Sequence, residues 1–287
     1  MLSQRLPDIR PPRICVCFFG LNRSLSHTVA SIRENIFQPI AESGLESRVY
    51  AAFMQVTGSF SNRHSGEFNV QCESDGAERL GAHRVQLIDQ AEFDRALDLE
   101  KIGSYGDAWN DGLVNTRNLC RSLYAAEKVT ELWSTENYSA RDLFIYLRPD
   151  MEYHDRFDLP CYLSWARRHG DQFLATPRWG LYGGLNDRFG VMGYSGAKMY
   201  GGRFRAIDAY QAETHRPLHA EVFLRDLADR QRIAYRPFFL KLRATRIRAN
   251  GVRVDESFQA QHTILAKVLN RVKKLGLKFS IARLVAR

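Results

Sequence analysis

Two carboxylates near the middle of the chain have the type and spacing to hold a divalent cation. Asp150 and Glu152 follow the apolar run Leu143–Leu147, which predicts a strand covered on both faces. Pro149 removes a backbone donor where the ladder should end, so both acids are expected at the carboxyl edge of the strand. Residues two apart in extended chain share a side, and paired oxygen ligands suit Mg²⁺ or Mn²⁺. The spacing predicts a metal site, the alternative being a solvated strand end.

A second candidate site follows the first predicted strand, Arg13–Phe19. The turn Gly20–Ser24 comes next and contains Arg23, with an Asn and a Ser able to cap a helix over His27–Ile36. Strand, glycine turn and helix form the geometry in which backbone N–H groups face phosphate. Gly20 and Arg23 are therefore predicted to contact a nucleotide, the alternative being a plain connection between strand and helix.

The elements that must position these residues alternate between strands and helices. Apolar runs predict strands over 47–56, 84–88 and 172–177, and a further edge strand over 233–242; helical spacing appears over 113–133 and from 218 to about 230. The polar stretch 57–82 is predicted to be a long surface loop, and the five glycines over 180–193 indicate a loop that approaches a ligand closely. The pattern indicates one main α/β domain.

The charge balance favours anionic partners. The net charge is +9 with a pI near 9.4, and no acid follows Glu256. Residues 259–287 are predicted to be a basic amphipathic tail that lies on an anionic membrane surface or packs on the main domain. Residues 1–12 are predicted to be a flexible lead-in without a signal peptide, and the odd number of cysteines, without metal spacing, favours reduced thiols. A cytoplasmic location, peripheral on the inner face of the membrane, is expected.

The strand and its acids resemble the DxD element of GT-A nucleotide-sugar glycosyltransferases. The stretch IYLRPDMEY is similar to the R-x-D form of bacterial and viral polysaccharide-type transferases. The resemblance is strongest over Phe144–Tyr153 and Gly183–Glu221. It implies a single GT-A-like α/β/α sandwich over residues 13–258, with a mixed, mostly parallel central sheet and a basic C-terminal helix after it. It also implies Mn²⁺ or Mg²⁺ on Asp150 and Glu152, bridging the donor diphosphate.

The same resemblance implies roles for further residues. Arg148 stands where a strict DxD has its first Asp and is a second candidate for neutralising phosphate. Asn115 and Arg117 lie at the start of a helix that faces the donor in that family. The alternative for Arg117 is a solvated helix face. Glu221, at the start of a helix, matches the general base that takes the acceptor's proton, although an acid there is also favoured by the helix dipole alone. The stretch NDRFGVMGYSGAKMY makes Asp187 a competing base or acceptor contact. The remaining expected acceptor contacts are Asn186, Arg188 and His219.

The implied function is transfer of a sugar, expected to be a hexose, from a nucleotide-diphosphate sugar to a glycan or lipid-linked acceptor in cell-surface polysaccharide synthesis. Two other classes remain as alternatives. A nucleotidyltransferase acting on sugar phosphates would share the acidic site, but GLNRS matches its G-x-G-T-R-like loop poorly. A non-catalytic protein that binds membranes or nucleic acid would explain the charge but not the strands that end in acids, and no nucleic acid is expected as a partner.

Overall fold

The computed structural model of the protein describes residues 10–62, 66–235, 239–240 and 242–255. The strands are β1 Ile14–Leu21, β2 Ser47–Gln55, β3 Ser59–Asn62, β4 Glu67–Gln71, β5 Arg84–Asp89, β6 Leu143–Leu147, β7 Met151–Tyr153, β8 Leu174–Pro177, β9 Phe189–Met192, β10 Phe239–Leu240, β11 Ala244–Ile247 and β12 Arg253–Asp255. The α-helices are α1 Leu25–Ile32, α2 Gln38–Glu42, α3 Gly76–Arg79, α4 Gln90–Ala96, α5 Leu99–Gly103, α6 Val114–Ser134, α7 Leu159–His169, α8 Tyr194–Gly201, α9 Ile207–Thr214 and α10 Ala220–Arg230.

The central sheet has seven strands in the order β10-β8-β9-β6-β1-β2-β5. Strand β1 pairs in parallel with β2 and β6, and β9 runs antiparallel to β6 and β8. The sheet is therefore mixed and mostly parallel, as predicted. Strands β12, β11 and β7 form a smaller sheet, in which β7 continues the chain just beyond the end of β6.

Helices cover both faces of the central sheet because its inner strands are apolar on both sides. In β1, Cys15, Cys17 and Phe19 belong to one apolar cluster with residues of α6, α8 and α10, whereas the alternate residues Ile14, Val16 and Phe18 pack with α1 and α7. All five residues of β6 are buried, which confirms the prediction of a strand covered on both faces. The result is the predicted α/β/α sandwich.

The first helical segment differs from its prediction in length and in capping. It begins at Leu25 and continues through a π-helical turn, Arg33–Phe37, to Glu42. The hydroxyl of Ser24 makes no cap; it donates to the carbonyl of Ile247 at 2.9 Å, which connects the end of β1 to β11. Tertiary pairing with a distant strand therefore replaces the predicted local cap.

The predicted surface loop over 57–82 has regular structure. It contains the antiparallel hairpin of β3 and β4 and the short helix α3. Glu67 of β4 is 1% exposed and accepts a hydrogen bond from Arg23 at 2.9 Å, so the hairpin packs against the carboxyl end of β1. The glycines and polar residues that predicted a loop serve as turns around these elements.

The ends of the chain are described in part. Arg10, inside the predicted lead-in, donates to the buried carboxylate of Asp142 at 2.6 and 2.7 Å. The predicted tail 259–287 lies outside the described residues. Within the described ranges, no helix has both the length and the apolarity needed to cross a bilayer.

Candidate functional site

A cavity of about 400 Å³ opens at the carboxyl ends of β1 and β6. This is the edge of a parallel sheet at which ligands commonly bind. Five arginines and two carboxylates are among the residues that line it, namely Arg23, Arg121, Arg148, Arg188, Arg246, Asp187 and Glu221. The cavity is therefore strongly electropositive, and its volume is in the range of small-molecule sites.

The end of β1 contributes Gly20 and Arg23, the two candidate nucleotide contacts, to the lining. Gly20 has φ +107°, a backbone conformation that side-chain-bearing residues rarely adopt, so glycine lets the strand bend at the cavity. Arg23 is 5% exposed and donates to both Glu67 and Asp150, which fixes its guanidinium at the cavity wall. Arg148, directly after β6, also lines the cavity.

Asp150 lies behind the arginines and is 1% exposed. Arg148 donates to both of its oxygens at 2.8 and 2.9 Å, and Arg23 and Arg246 each donate to Oδ2 at 3.1 Å. Burial opposes ionisation, but the guanidiniums of Arg148, Arg246 and Arg23 hold the pKa of Asp150 well below its usual value. Asp150 is thus the buried counter-ion of three arginines and is not among the residues that line the cavity.

Glu152 is separated from Asp150, contrary to the expectation that the two carboxylates share a ligand. It belongs to β7, whose register places it opposite Thr245 of β11, and its carboxylate pairs with Arg253. The chain leaves the central sheet at Pro149 and enters the smaller sheet, so the two acids no longer lie along one continuous strand.

These residues do not fit the predicted Mn²⁺ or Mg²⁺ site. A divalent cation needs several oxygen ligands with free lone pairs, whereas both oxygens of Asp150 already accept from guanidiniums. Three positive charges within 3.1 Å of that carboxylate would repel the ion. Among the described residues, no group of three or more His, Cys, Asp or Glu side chains could hold a metal.

The glycine-rich loop before β9 is held against the start of α10. Leu185 donates its N–H to the carbonyl of Glu221 at 2.9 Å, and a Cβ on Gly184 would lie 1.8 Å from that carbonyl oxygen. Glycine is therefore required at 184 by close approach of the two backbones. The loop then presents Asp187 and Arg188, two of the candidate acceptor-site residues, to the cavity.

Asn186 is buried in the loop, which corrects its predicted acceptor contact. Its side chain donates to the carbonyl of Trp179 at 2.8 Å and accepts from the N–H of Arg188 at 2.9 Å. The residue is 0% exposed and is not among those that line the cavity. Asn186 positions Arg188 and Asp187, so its effect on a ligand is indirect.

Glu221 lies in the first turn of α10, 5% exposed, and lines the cavity. Burial, reinforced by the carboxylate of Asp187, raises the pKa of Glu221 to about 8, although Arg188 and Arg203 act in the opposite direction. The helix dipole was expected to keep this acid ionised, but burial and Asp187 have the larger effect on its pKa. A carboxyl group with a pKa near the working pH is suited to accept and release a proton.

His219 precedes Glu221 and also lines the cavity. Its Nδ1 lies 3.3 Å from Oε2 of Glu221, and burial lowers the pKa of the imidazole. The ring stacks on Trp109 with centroids 5.2 Å apart and an interplanar angle of 12°. His219 and Trp109 therefore form a flat aromatic surface beside the carboxyl group of Glu221.

Trp109 was missed by the sequence analysis, although the stretch GDAWNDG carries a turn signal. The carboxylate of Asp107 accepts from the backbone N–H groups of Trp109, Asp111 and Leu113 at 2.8 to 3.0 Å. These backbone hydrogen bonds, that of Leu113 first, lower the pKa of Asp107. The loop is thus held in the shape that brings Trp109 to the cavity.

Of the two residues of α6 named as candidates, Asn115 lines the cavity and Arg117 does not. Asn115, Asn118 and Arg121 line the cavity, whereas Arg117 is exposed and is not among the lining residues. Arg246 of β11 was also missed, because nothing in its local sequence connects it with Asp150.

No protein-family model and no curated protein sequence matches the chain. Among solved structures, the chain is similar to the apo form of mouse xyloside xylosyltransferase 1, at 8% sequence identity and a TM-score of 0.38. The match covers 80% of this chain and 84% of the mouse chain.

Proposed function

We propose that the protein is a glycosyltransferase that moves a sugar from a nucleotide-diphosphate sugar to the hydroxyl of a glycan or lipid-linked acceptor. The observation that carries this proposal is the combination of Glu221 and Asp187 with an arginine-rich wall in one cavity. Sugar transfer needs a base for the incoming hydroxyl and positive charge for the departing diphosphate. Both requirements have candidates within this cavity.

In this proposal, Glu221 takes the proton of the acceptor hydroxyl. The acceptor oxygen then forms a bond to the anomeric carbon as the bond from that carbon to the diphosphate breaks. The departing diphosphate carries the electron pair toward the arginines. Asp187, in the same cavity, is the alternative base, and its charge contributes to the raised pKa of Glu221.

The proposal is tested by measuring the thermal stabilisation of the full chain by UDP-, GDP-, CMP- and dTDP-sugars. We expect one nucleotide class to raise the melting temperature, and the same donor to release its nucleoside diphosphate, or CMP from a CMP-sugar, when acceptors are added. Release of pyrophosphate from a nucleoside triphosphate and a sugar phosphate would instead support a nucleotidyltransferase. Stabilisation by no nucleotide at all would contradict both enzyme classes.

The aromatic surface of Trp109 and His219 is proposed to hold a sugar ring. Removing the indole in Trp109→Ala is expected to raise KM for the bound sugar about 3- to 10-fold, since aromatic stacking contributes about 0.5–1.5 kcal/mol. Trp109→Phe keeps a flat ring and should recover most of the loss. Steady-state kinetics with donor and acceptor varied separately check the effect; an unchanged KM for both substrates would contradict this role.

Several finer expectations remain proposals. These are a hexose donor, a role in cell-surface polysaccharide synthesis and attachment to the inner face of the membrane through residues 259–287. The tail proposal rests on the basic and apolar residues of that segment.

A further inference from the structure

Four arginines converge on two buried carboxylates at the wall of the cavity. Arg23, Arg148 and Arg246 donate to Asp150; Arg23 also donates to Glu67, and Arg248 lies 3.9 Å from the same Glu67 oxygen. Both carboxylates are 1% exposed and neither is among the lining residues, whereas Arg23, Arg148 and Arg246 do line the cavity. The guanidiniums therefore stand between the buried acids and the open space.

Among the residues that the structure describes, four arginines share two carboxylates in a poorly solvated place. Buried charges are costly unless an opposite charge compensates them. Two buried donors, Nε of Arg23 and Nε of Arg248, have no hydrogen-bond partner in the described structure. Burial lowers the pKa of Arg246, and the cations Arg148 and Arg23 lower it further against the opposing effect of Asp150. An anion in the cavity would compensate the charges of Arg23 and Arg246, which line it.

We infer that Arg23, Arg148, Arg188 and Arg246, here called the arginine cluster, bind the diphosphate of the donor directly, in the role expected of a divalent cation. This inference rests on the proposed function and deepens it by assigning metal-independent binding. Guanidinium groups match phosphate oxygens through paired N–H donors, which a point charge cannot do. The cluster comes from the turn after β1, the end of β6, the glycine-rich loop and β11, so the fold assembles it before the ligand arrives.

Asp150 has a positioning role in this inference. Its two oxygens orient three guanidiniums from behind and offset part of their mutual repulsion. Groups held in place before binding spend little free energy on reorganisation when charge develops on the leaving diphosphate. The acid of the R-x-D motif thus orders the cations instead of binding a metal.

The test is calorimetric titration of inorganic pyrophosphate into the full chain in excess EDTA. We expect saturable binding without metal, and MnCl₂ in place of EDTA should not tighten it. Arg188→Gln should weaken the binding about 10-fold or more, because it removes a charged hydrogen-bond donor. Arg246→Gln should act in the same direction. Arg156→Gln is the matched control, since Arg156 is exposed and pairs with Glu42 outside the cavity.

Thermal melts of each variant separate loss of binding from loss of fold. Arg188 is suited to this purpose because it lines the cavity, whereas in the described part of the chain the hydrogen bonds to Asp150 come from Arg23, Arg148 and Arg246. Binding that appears only with Mn²⁺, or that survives unchanged in both folded arginine variants, would overturn the inference. Sugar transfer that requires a metal would overturn the inference of metal-independent binding and leave the proposed function intact. Metal-free pyrophosphate binding without any sugar transfer would support this inference and contradict the proposed function.

Discussion

Replacing Glu221 with glutamine is expected to lower the turnover number by about 10²–10⁴-fold, the range typical for loss of a positioned general base. Glutamine keeps the shape of the side chain but cannot accept the acceptor's proton. Donor affinity, measured separately by calorimetry, should change little, because the base contacts the acceptor. Glu213→Gln is the matched control: Glu213 is exposed and pairs with Arg230 away from the cavity.

The pH dependence of turnover in the wild type and in Glu221→Gln gives a second readout. Wild-type turnover should rise as pH increases through about 8, because the raised pKa of Glu221 leaves the base protonated below that pH. The charged and titratable groups around it are Asp187, Arg188, Arg203 and His219. The rise should be absent in Glu221→Gln. If this variant keeps its turnover while Asp187→Asn loses it, the two roles are exchanged; if both stay active, the mechanism is wrong.

Unfolding should not account for the loss of activity in Glu221→Gln. A carboxyl group whose pKa is raised from 4.5 to about 8 in the folded state costs stability as pH rises between these values, and the full cost applies above about 8. Glutamine carries no such cost. The variant is therefore expected to melt at or above the wild-type temperature at pH 9, which scanning calorimetry can establish.

Replacing Asp150 with asparagine is expected to lower the free energy of unfolding at pH 7 by about 3–5 kcal/mol, as for removal of one partner from a buried ion pair. The change would leave Arg23, Arg148 and Arg246 without their shared counter-ion. The sequence predicted a carboxylate at the exposed edge of a strand, where it would bind a ligand. The structure makes it part of the interior instead.

Unfolding of wild type and Asp150→Asn by guanidinium chloride, with their m-values compared, measures this loss of stability. Because the pKa of Asp150 is held below its usual value of 3.8, its stabilising contribution is present above about pH 4 and is lost as pH falls through the lower folded value. The difference between wild type and variant should therefore shrink in acid. Asp208→Asn, at an exposed pair with Lys101, should change the stability far less, because solvent screens this pair. A variant as stable as wild type would show that the arginines do not depend on Asp150.

Local patterns predicted much of the fold because they depend on neighbouring residues. The run Leu143–Leu147 followed by Pro149 predicted a strand with the correct end, and the continuous apolar run after Arg13 predicted β1 as a buried strand. The local signals failed where partners are distant, as at Ser24, whose hydroxyl pairs with β11, and in the stretch 57–82, whose hairpin packs beside Arg23.

The sequence by itself determined which residue types stand at the ends of strands and helices, and it placed Gly20, Arg23, Arg148, Asp187, Arg188, His219 and Glu221 among the candidates that line the cavity. Only the tertiary structure decided which acid faces the cavity and which is buried behind cations. Asp150 meets Arg23 across 127 residues and Arg246 across 96, and no local pattern encodes such contacts. The pKa of Glu221 likewise depends on burial and on Asp187, because the cost of ionising a group is set by its three-dimensional surroundings.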